Sequence, residues 1–183
     1  MFIYLTLALW FILIVYWLIA AKNNSQTNLS SEIFSFVKLI GSALLVYLPL
    51  LTNGVFASRL YPQIIWIDIA GSVVVATGVF LAIWARSLLG KNWSGRVMLQ
   101  NQHHLVTGGP YRFVRHPIYL GGLLAMFGSS LVLGHVFGFA YSVLSTFELV
   151  MKSRHEDVLL AKQFPDEFPE YKQQVKMLLP FLY

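Results

Sequence analysis

The sequence predicts an all-α integral membrane protein, with about five transmembrane helices, a long cytoplasmic loop and a C-terminal tail. Three observations lead there. The 183 residues are 57% hydrophobic and only 11% charged, against roughly 25% charged in soluble domains. Uncharged apolar runs alternate with short polar connections. The basic residues also fall almost entirely on one side of the resulting topology. The length suits a single membrane-embedded domain over residues 1–183. The absence of cysteine removes disulfides, thiolate nucleophiles and cysteine-based metal sites together. A net charge of +5 suggests anionic lipid headgroups as partners and not nucleic acid, because the cations flank apolar spans and do not form an aromatic-interleaved surface.

The first span is residues 2–21, uncharged throughout and matched to the ~20 helical residues that a bilayer core requires. It lacks a basic leader region and a small-residue cleavage site, so it is expected to be retained. The polar run from Lys22 to Ser31 connects it to a second span over 33–56, with Ser30, Ser31 and Glu32 available as caps, Lys38 able to snorkel and Pro49 placed to kink. A turn around Arg59 to Pro62 leads to a third span over 64–89, in which 17 uncharged residues separate Asp68 from Arg86. Residues 90–116 form the longest polar connection. Spans over 117–133 and 136–151 follow, each about 24 Å of helix, with a tight break at Gly134, His135 and Gly138. They form two thin spans or one re-entrant hairpin, and both versions return the chain to the same side.

In the tail, 152–183, Pro165 and Pro169 interrupt the chain. Tyr171, Val175 and Leu178 then recur at helical spacing, as in an amphipathic segment on the membrane surface. With five spans, every Lys and Arg except Arg59 lies on the side of the long loop and the tail. That side is therefore cytoplasmic and the N-terminus is outside.

The densest cluster of polar and aromatic groups is HHLVTGGPYRFVRHPIYLGG, residues 103–122. Pro117 disfavours helix at His116 and suits the first turn, so a helix should start there with His116 as its N-cap and its free N–H groups facing the loop. Such an end accepts a carboxylate or phosphate, with Arg112, Arg115 and His116 beside it and Tyr111 and Tyr119 supplying flat faces. Gly108, Gly109 and Pro110 permit a sharp turn and close backbone approach. The plainer account makes the arginines interfacial anchors, the tyrosines an aromatic belt and the glycines a turn. Zinc is disfavoured by the lack of cysteine and the irregular histidine spacing. On a helix continuing past Met151, Glu148, Lys152 and Glu156 share a face. Glu148, set in an apolar segment, is itself a functional candidate, as is Asp68 less strongly.

Three stretches, LGKNWSGRV at 89–97, HHLVTGGPYRFVRHPIYLG at 103–121 and RHEDVLLAKQFPDEFPEYKQQV at 154–175, resemble the isoprenylcysteine carboxyl methyltransferase family, which is close to the phospholipid methyltransferases. The most specific element is Gly-x-Tyr followed by Arg-His-Pro-x-Tyr and a downstream acidic pair. The resemblance implies an S-adenosylmethionine-dependent membrane methyltransferase acting on a lipophilic or lipid-modified acceptor. It places the cofactor at His103, Leu105, Val106, Gly109, Tyr111, Arg115, His116, Pro117 and Tyr119, the essential acid at Glu156, and an acceptor-side cation at Lys152 or Arg154. Asp157 stands where the family more often has a second Glu, Pro165 where Gly is common, and Phe168 where Tyr is. Independently, no two glycines lie two residues apart, so the G-x-G-x-x-G nucleotide loop is excluded. An NADPH-dependent sterol reductase-like enzyme, a phospholipid amine methyltransferase and a non-enzymatic lipid-binding scaffold are the competing readings.

Overall fold

A computed structural model describes residues 1–22, 41, 44–51, 54–90 and 105–179. The described residues are helical apart from connecting segments and two isolated backbone bridges. Helix α1 spans Phe2–Lys22, α2 Ile65–Leu89, α3 Pro117–Leu133, α4 Val136–Gln163 and α5 Phe168–Gln174. By length and composition, α1 (over Phe2–Ala20) and α2 can cross a membrane, and α3 is a shorter apolar helix.

The core is set by how closely α2 and α3 approach. Their glycines recur at seven-residue spacing and interlock: a Cβ on Gly78 would lie 2.4 Å from the Gly121 carbonyl oxygen, and one on Gly71 2.8 Å from that of Gly128. Lower residues of one helix meet higher residues of the other, so the pair runs antiparallel. Without a hydrophobic force between helices in lipid, such small-residue seams let backbones pack by dispersion. Val75, Val79 and Ala82 complete the buried face of α2.

Helix α1 adds Trp10, Leu13 and Trp17, one buried stripe at i, i+3 and i+7. The Trp10 indole N–H donates to Ser129 Oγ at 3.1 Å, the Tyr47 hydroxyl donates to the same oxygen at 2.9 Å, and Ser129 donates onward to the Ala125 carbonyl. Three elements are thereby tied through one hydroxyl of α3.

One sequence expectation needs correction here. The stretch over 33–56 does not end as one continuous α-helix: its described part is two 3-10 turns, Leu45–Leu51 and Gly54–Ala57. Pro49 lies inside the first of them, where it lacks the N–H that an α-helix would use. Helix α4 runs unbroken to Gln163 and projects its last three turns beyond the apolar run, in keeping with a helix that continues past Met151. The break between α3 and α4 is as expected, with Gly134 left-handed at φ 68° and its N–H bonded to the Ser130 carbonyl.

Candidate active site

The extension of α4 and the loop before α3 meet at one end of the bundle. The chain enters through Gly109, whose φ of +60° favours glycine and where an added Cβ would run into Leu88 and Trp84 of α2. A 3-10 turn, Gly109–Arg112, follows and buries Pro110 and Tyr111. The Tyr111 hydroxyl reaches the Ala85 carbonyl at 3.4 Å, and burial pushes its pKa well above the ordinary value, with the Arg86 guanidinium pulling the other way. Helix α3 then starts at Pro117 with His116 as N-cap, as the proline requires.

The C-terminal segment straps this loop down. After α5 the chain is extended at Val175, and Arg115 and His116 donate their backbone N–H groups to the carbonyls of Lys176 (2.8 Å) and Met177 (3.1 Å). The Tyr171 hydroxyl donates to the Tyr111 carbonyl at 2.7 Å. Tyr171, Val175 and Leu178 are therefore buried, which corrects the expectation of an amphipathic helix on the membrane surface. The backbone of 175–177 is used to pair with the loop, so the helical spacing stops at Gln174.

Across from this strap, α4 presents an acidic pair. Asp157 is 4% exposed and receives Arg115 in fork geometry, Nη2 at 2.7 Å and Nε at 3.3 Å, together with His116 Nε2 at 2.9 Å. Lys172 Nζ lies 3.9 Å away. Glu156 is half-buried: Tyr119 donates its hydroxyl to Oε1 at 2.5 Å, and His116 Nδ1 faces Oε2 at 3.5 Å. The His116 and Tyr119 rings stack, centroids 5.7 Å apart and 9° from coplanar, and Lys152 Nζ lies 5.0 Å from the Tyr119 centroid. Burial pulls the His116 pKa down, but its bonds to Asp157 and Glu156 and their charges prevail and raise it. For Asp157 burial acts upward, and the hydrogen bonds and charges of His116 and Arg115 prevail to lower it. Arg115 and Asp157 are thus a buried, fully bonded pair, which removal of either partner would make costly.

The phospholipid methyltransferase family profile matches residues 66–167, over half of the chain and nearly all of α2 to α4. The chain belongs to the phospholipid methyltransferase family. Within it, the chain is 28% identical over 171 residues to protein-S-isoprenylcysteine O-methyltransferase of Homo sapiens, covering 91% of this chain and 60% of that protein. It is 30% identical over 129 residues to a probable protein-S-isoprenylcysteine O-methyltransferase of Oryza sativa subsp. japonica (67% and 68% covered). A shorter match, 36% over 72 residues, is to methanethiol S-methyltransferase 1 of Bradyrhizobium diazoefficiens. The chain spans about three fifths of the length of the vertebrate relatives it matches.

For this family member the structure brings most of the expected site residues together. Tyr111, Arg115, His116, Pro117, Tyr119, Lys152 and Glu156 share one end of the bundle, and Gly109 shapes the loop that leads in. Leu105 lies apart, packing on the Phe168, Tyr171 and Val175 cluster, and Val106 is half-buried beside it in sequence. Arg154 is exposed on α4. His103 lies outside the described residues. Glu148 is exposed on the surface of α4 and is not among the groups that meet His116. Two participants were not singled out from the sequence. In the sequence Asp157 stands out only as a variant of the family's second acid, its place beside Glu156 being the available signal. Arg86 was counted as a topological charge, yet it is buried on the α2 face toward Tyr111.

Proposed function

We propose that this protein transfers a methyl group from S-adenosylmethionine to a lipophilic acceptor, a carboxylate such as that of a prenylated cysteine or a similar amphiphile. The observation that carries this reading is Glu156: a carboxylate fixed on one oxygen by Tyr119 and faced on the other by His116, at the edge of the bundle and one helical turn from the exposed cation Lys152. A carboxylate has about four acceptor positions, so two remain for the ammonium N–H groups of such a donor, and the same negative charge favours its sulfonium. The donor set therefore fits the cofactor. The family resemblance implies that His103, Leu105, Val106, Tyr111 and Pro117 serve its base; in this structure Leu105 packs on the Phe168 cluster and Tyr111 and Pro117 are buried.

When bound, S-adenosylmethionine would supply an electrophilic sulfonium methyl: a C–O bond to the acceptor carboxylate would form as the C–S bond breaks, with S-adenosylhomocysteine as the leaving group and a methyl ester as the product. The protein supplies no covalent nucleophile for this. Glu156 orients the donor's cationic groups, Lys152 or Arg154 holds the acceptor carboxylate, and the apolar helices exclude water. Positioning and desolvation are the catalytic terms. We place the site on the cytoplasmic face of a multi-pass protein of about five spans, with the N-terminus outside, on the distribution of Lys and Arg. The names of the vertebrate and plant relatives favour an isoprenylcysteine carboxylate, and the family's own description keeps a phospholipid amine as the second reading.

Calorimetry of the detergent-solubilised protein with S-adenosylmethionine, S-adenosylhomocysteine and NADPH tests the cofactor. Heat with the first two alone is expected. Heat with NADPH alone would support a reductase, and no heat with any would support a scaffold.

A further inference from the structure

Glu156 and Asp157 are consecutive on α4, a spacing at which side chains diverge by roughly 100° and do not normally share a partner. Both nevertheless reach the same imidazole. His116 sits at the junction between the strapped loop and α3, and its ring lies between the two acids, Nε2 at 2.9 Å from Asp157 Oδ1 and Nδ1 at 3.5 Å from Glu156 Oε2. A neutral imidazole has one N–H and one lone pair, so it can serve only one of two carboxylates; an imidazolium serves both. The surroundings divide the charges in the same way. Asp157 is met by Arg115 from the loop and Lys172 from α5. Glu156 has the Tyr119 hydroxyl from α3, with Lys152 of its own helix over the Tyr119 ring.

We propose that Asp157 is a positioning residue for the donor site: by engaging Nε2–H of His116 it turns the other ring nitrogen onto Glu156 and holds that carboxylate in place to receive a cationic ligand group. This rests on the reading of Glu156 as the acid that orients the donor. Asp157 touches neither donor nor acceptor. It is buried behind the histidine, and the backbone strap anchors its Arg115 partner from the far side, with Arg115 Nη1 donating to the carbonyls of Lys172 and Val175. The consequence is a titration. When His116 loses a proton, the nearer Asp157 keeps the one on Nε2, the Nδ1 lone pair then faces Glu156, and Glu156 is repelled from its position.

The experiment follows the His116 ring by NMR of ¹⁵N-histidine-labelled protein in micelles, assigned with His116→Gln, alongside calorimetric binding of S-adenosylhomocysteine across pH. In the wild type the His116 midpoint is expected above the ordinary ~6.5. In Asp157→Asn it should fall by about one pH unit or more, as expected on removing an adjacent carboxylate charge, and Asp157→Glu should restore most of it. Ligand affinity should weaken several-fold above the midpoint in each protein, with the fall moving to lower pH in Asp157→Asn. An unchanged His116 midpoint in Asp157→Asn would overturn the proposal. Should that variant not fold, a wild-type midpoint at or below the ordinary value would overturn it instead. Failure of the wild type to bind S-adenosylhomocysteine at any pH would refute the donor reading alone, since the histidine titration still judges Asp157.

Discussion

Replacing Gly121 by alanine puts one methyl group into the closest part of the structure. The added Cβ would lie 2.6 Å from the Gly78 carbonyl oxygen, 2.9 Å from the Ala82 nitrogen and 3.0 Å from the Ala82 Cβ. Two of the three are backbone atoms, so no flexible side chain can yield and the helices must part. Overpacking of this kind costs about 1–3 kcal/mol, set against the ~1 kcal/mol that alanine gains over glycine inside a helix. Gly122 supplies the control. It is the next residue of the same helix and has nothing within 4 Å of its would-be Cβ, so Gly122→Ala should keep the helical gain and stabilise. Thermal unfolding in one detergent, followed by tryptophan emission, should therefore place Gly121→Ala below and Gly122→Ala at or above the wild type. Because α3 begins at Pro117, only one turn earlier, the displaced helix should also carry His116 and Tyr119 away from Glu156, and Gly121→Ala should bind S-adenosylhomocysteine more weakly. Equal stability of the two variants would refute the account of the α2–α3 seam.

Further outcomes follow from the same geometry. Because the His116 pKa is raised in the fold, its stabilisation is complete below the ordinary ~6.5 and is lost as pH rises through the folded value; Asp157, with its pKa lowered, stabilises fully above ~3.9 and loses this as pH falls through its folded value. Denaturation in detergent should thus show a stability plateau between those limits, and His116→Gln should flatten the alkaline fall; an alkaline limb unaltered in that variant would count against it. Tyr119→Phe keeps the ring stacked on His116 but removes the hydroxyl bond to Glu156, and a bond to a charged group contributes ~1.5–3 kcal/mol to stability, so the midpoint of thermal unfolding should fall and donor binding by calorimetry should weaken as Glu156 loses its fixed position. Ser129→Ala leaves the Trp10 and Tyr47 donors without their shared acceptor, at a cost of ~1–3 kcal/mol for each group left unsatisfied, measurable as a lower midpoint of thermal unfolding.

Much of the fold was legible because membrane constraints act locally. An uncharged run of bilayer length, a proline at 117 and a glycine at 134 specify a helix, its start and its end without reference to the rest of the chain. The helix seam was also written in the sequence, as glycines at 71 and 78 and at 121 and 128, but the pairing of those two sets is a tertiary fact that spacing on one helix does not give. The tail was misread for the same reason: Tyr171, Val175 and Leu178 keep a helical period, yet Val175 and its neighbours are extended because Arg115, His116 and their backbone compete for those carbonyls. At the site, the Arg-His-Pro-x-Tyr motif identified the loop side. The partner of Arg115 and His116 is hidden, because His116 and Asp157 are 41 positions apart in the chain, and only the extension of α4 beyond the apolar run brings them together.

The central claim is methyl transfer organised by Glu156. Incubation of the purified protein with S-adenosylmethionine carrying a labelled methyl group, in the presence of a lipid extract and a prenylated cysteine, tests it most directly. Label should pass to the prenylated acceptor as a base-labile ester, and Glu156→Gln should reduce that transfer by at least tenfold while the protein remains folded. Transfer undiminished in Glu156→Gln, or label found only in base-stable amine products, would contradict the assigned acid or the assigned acceptor respectively.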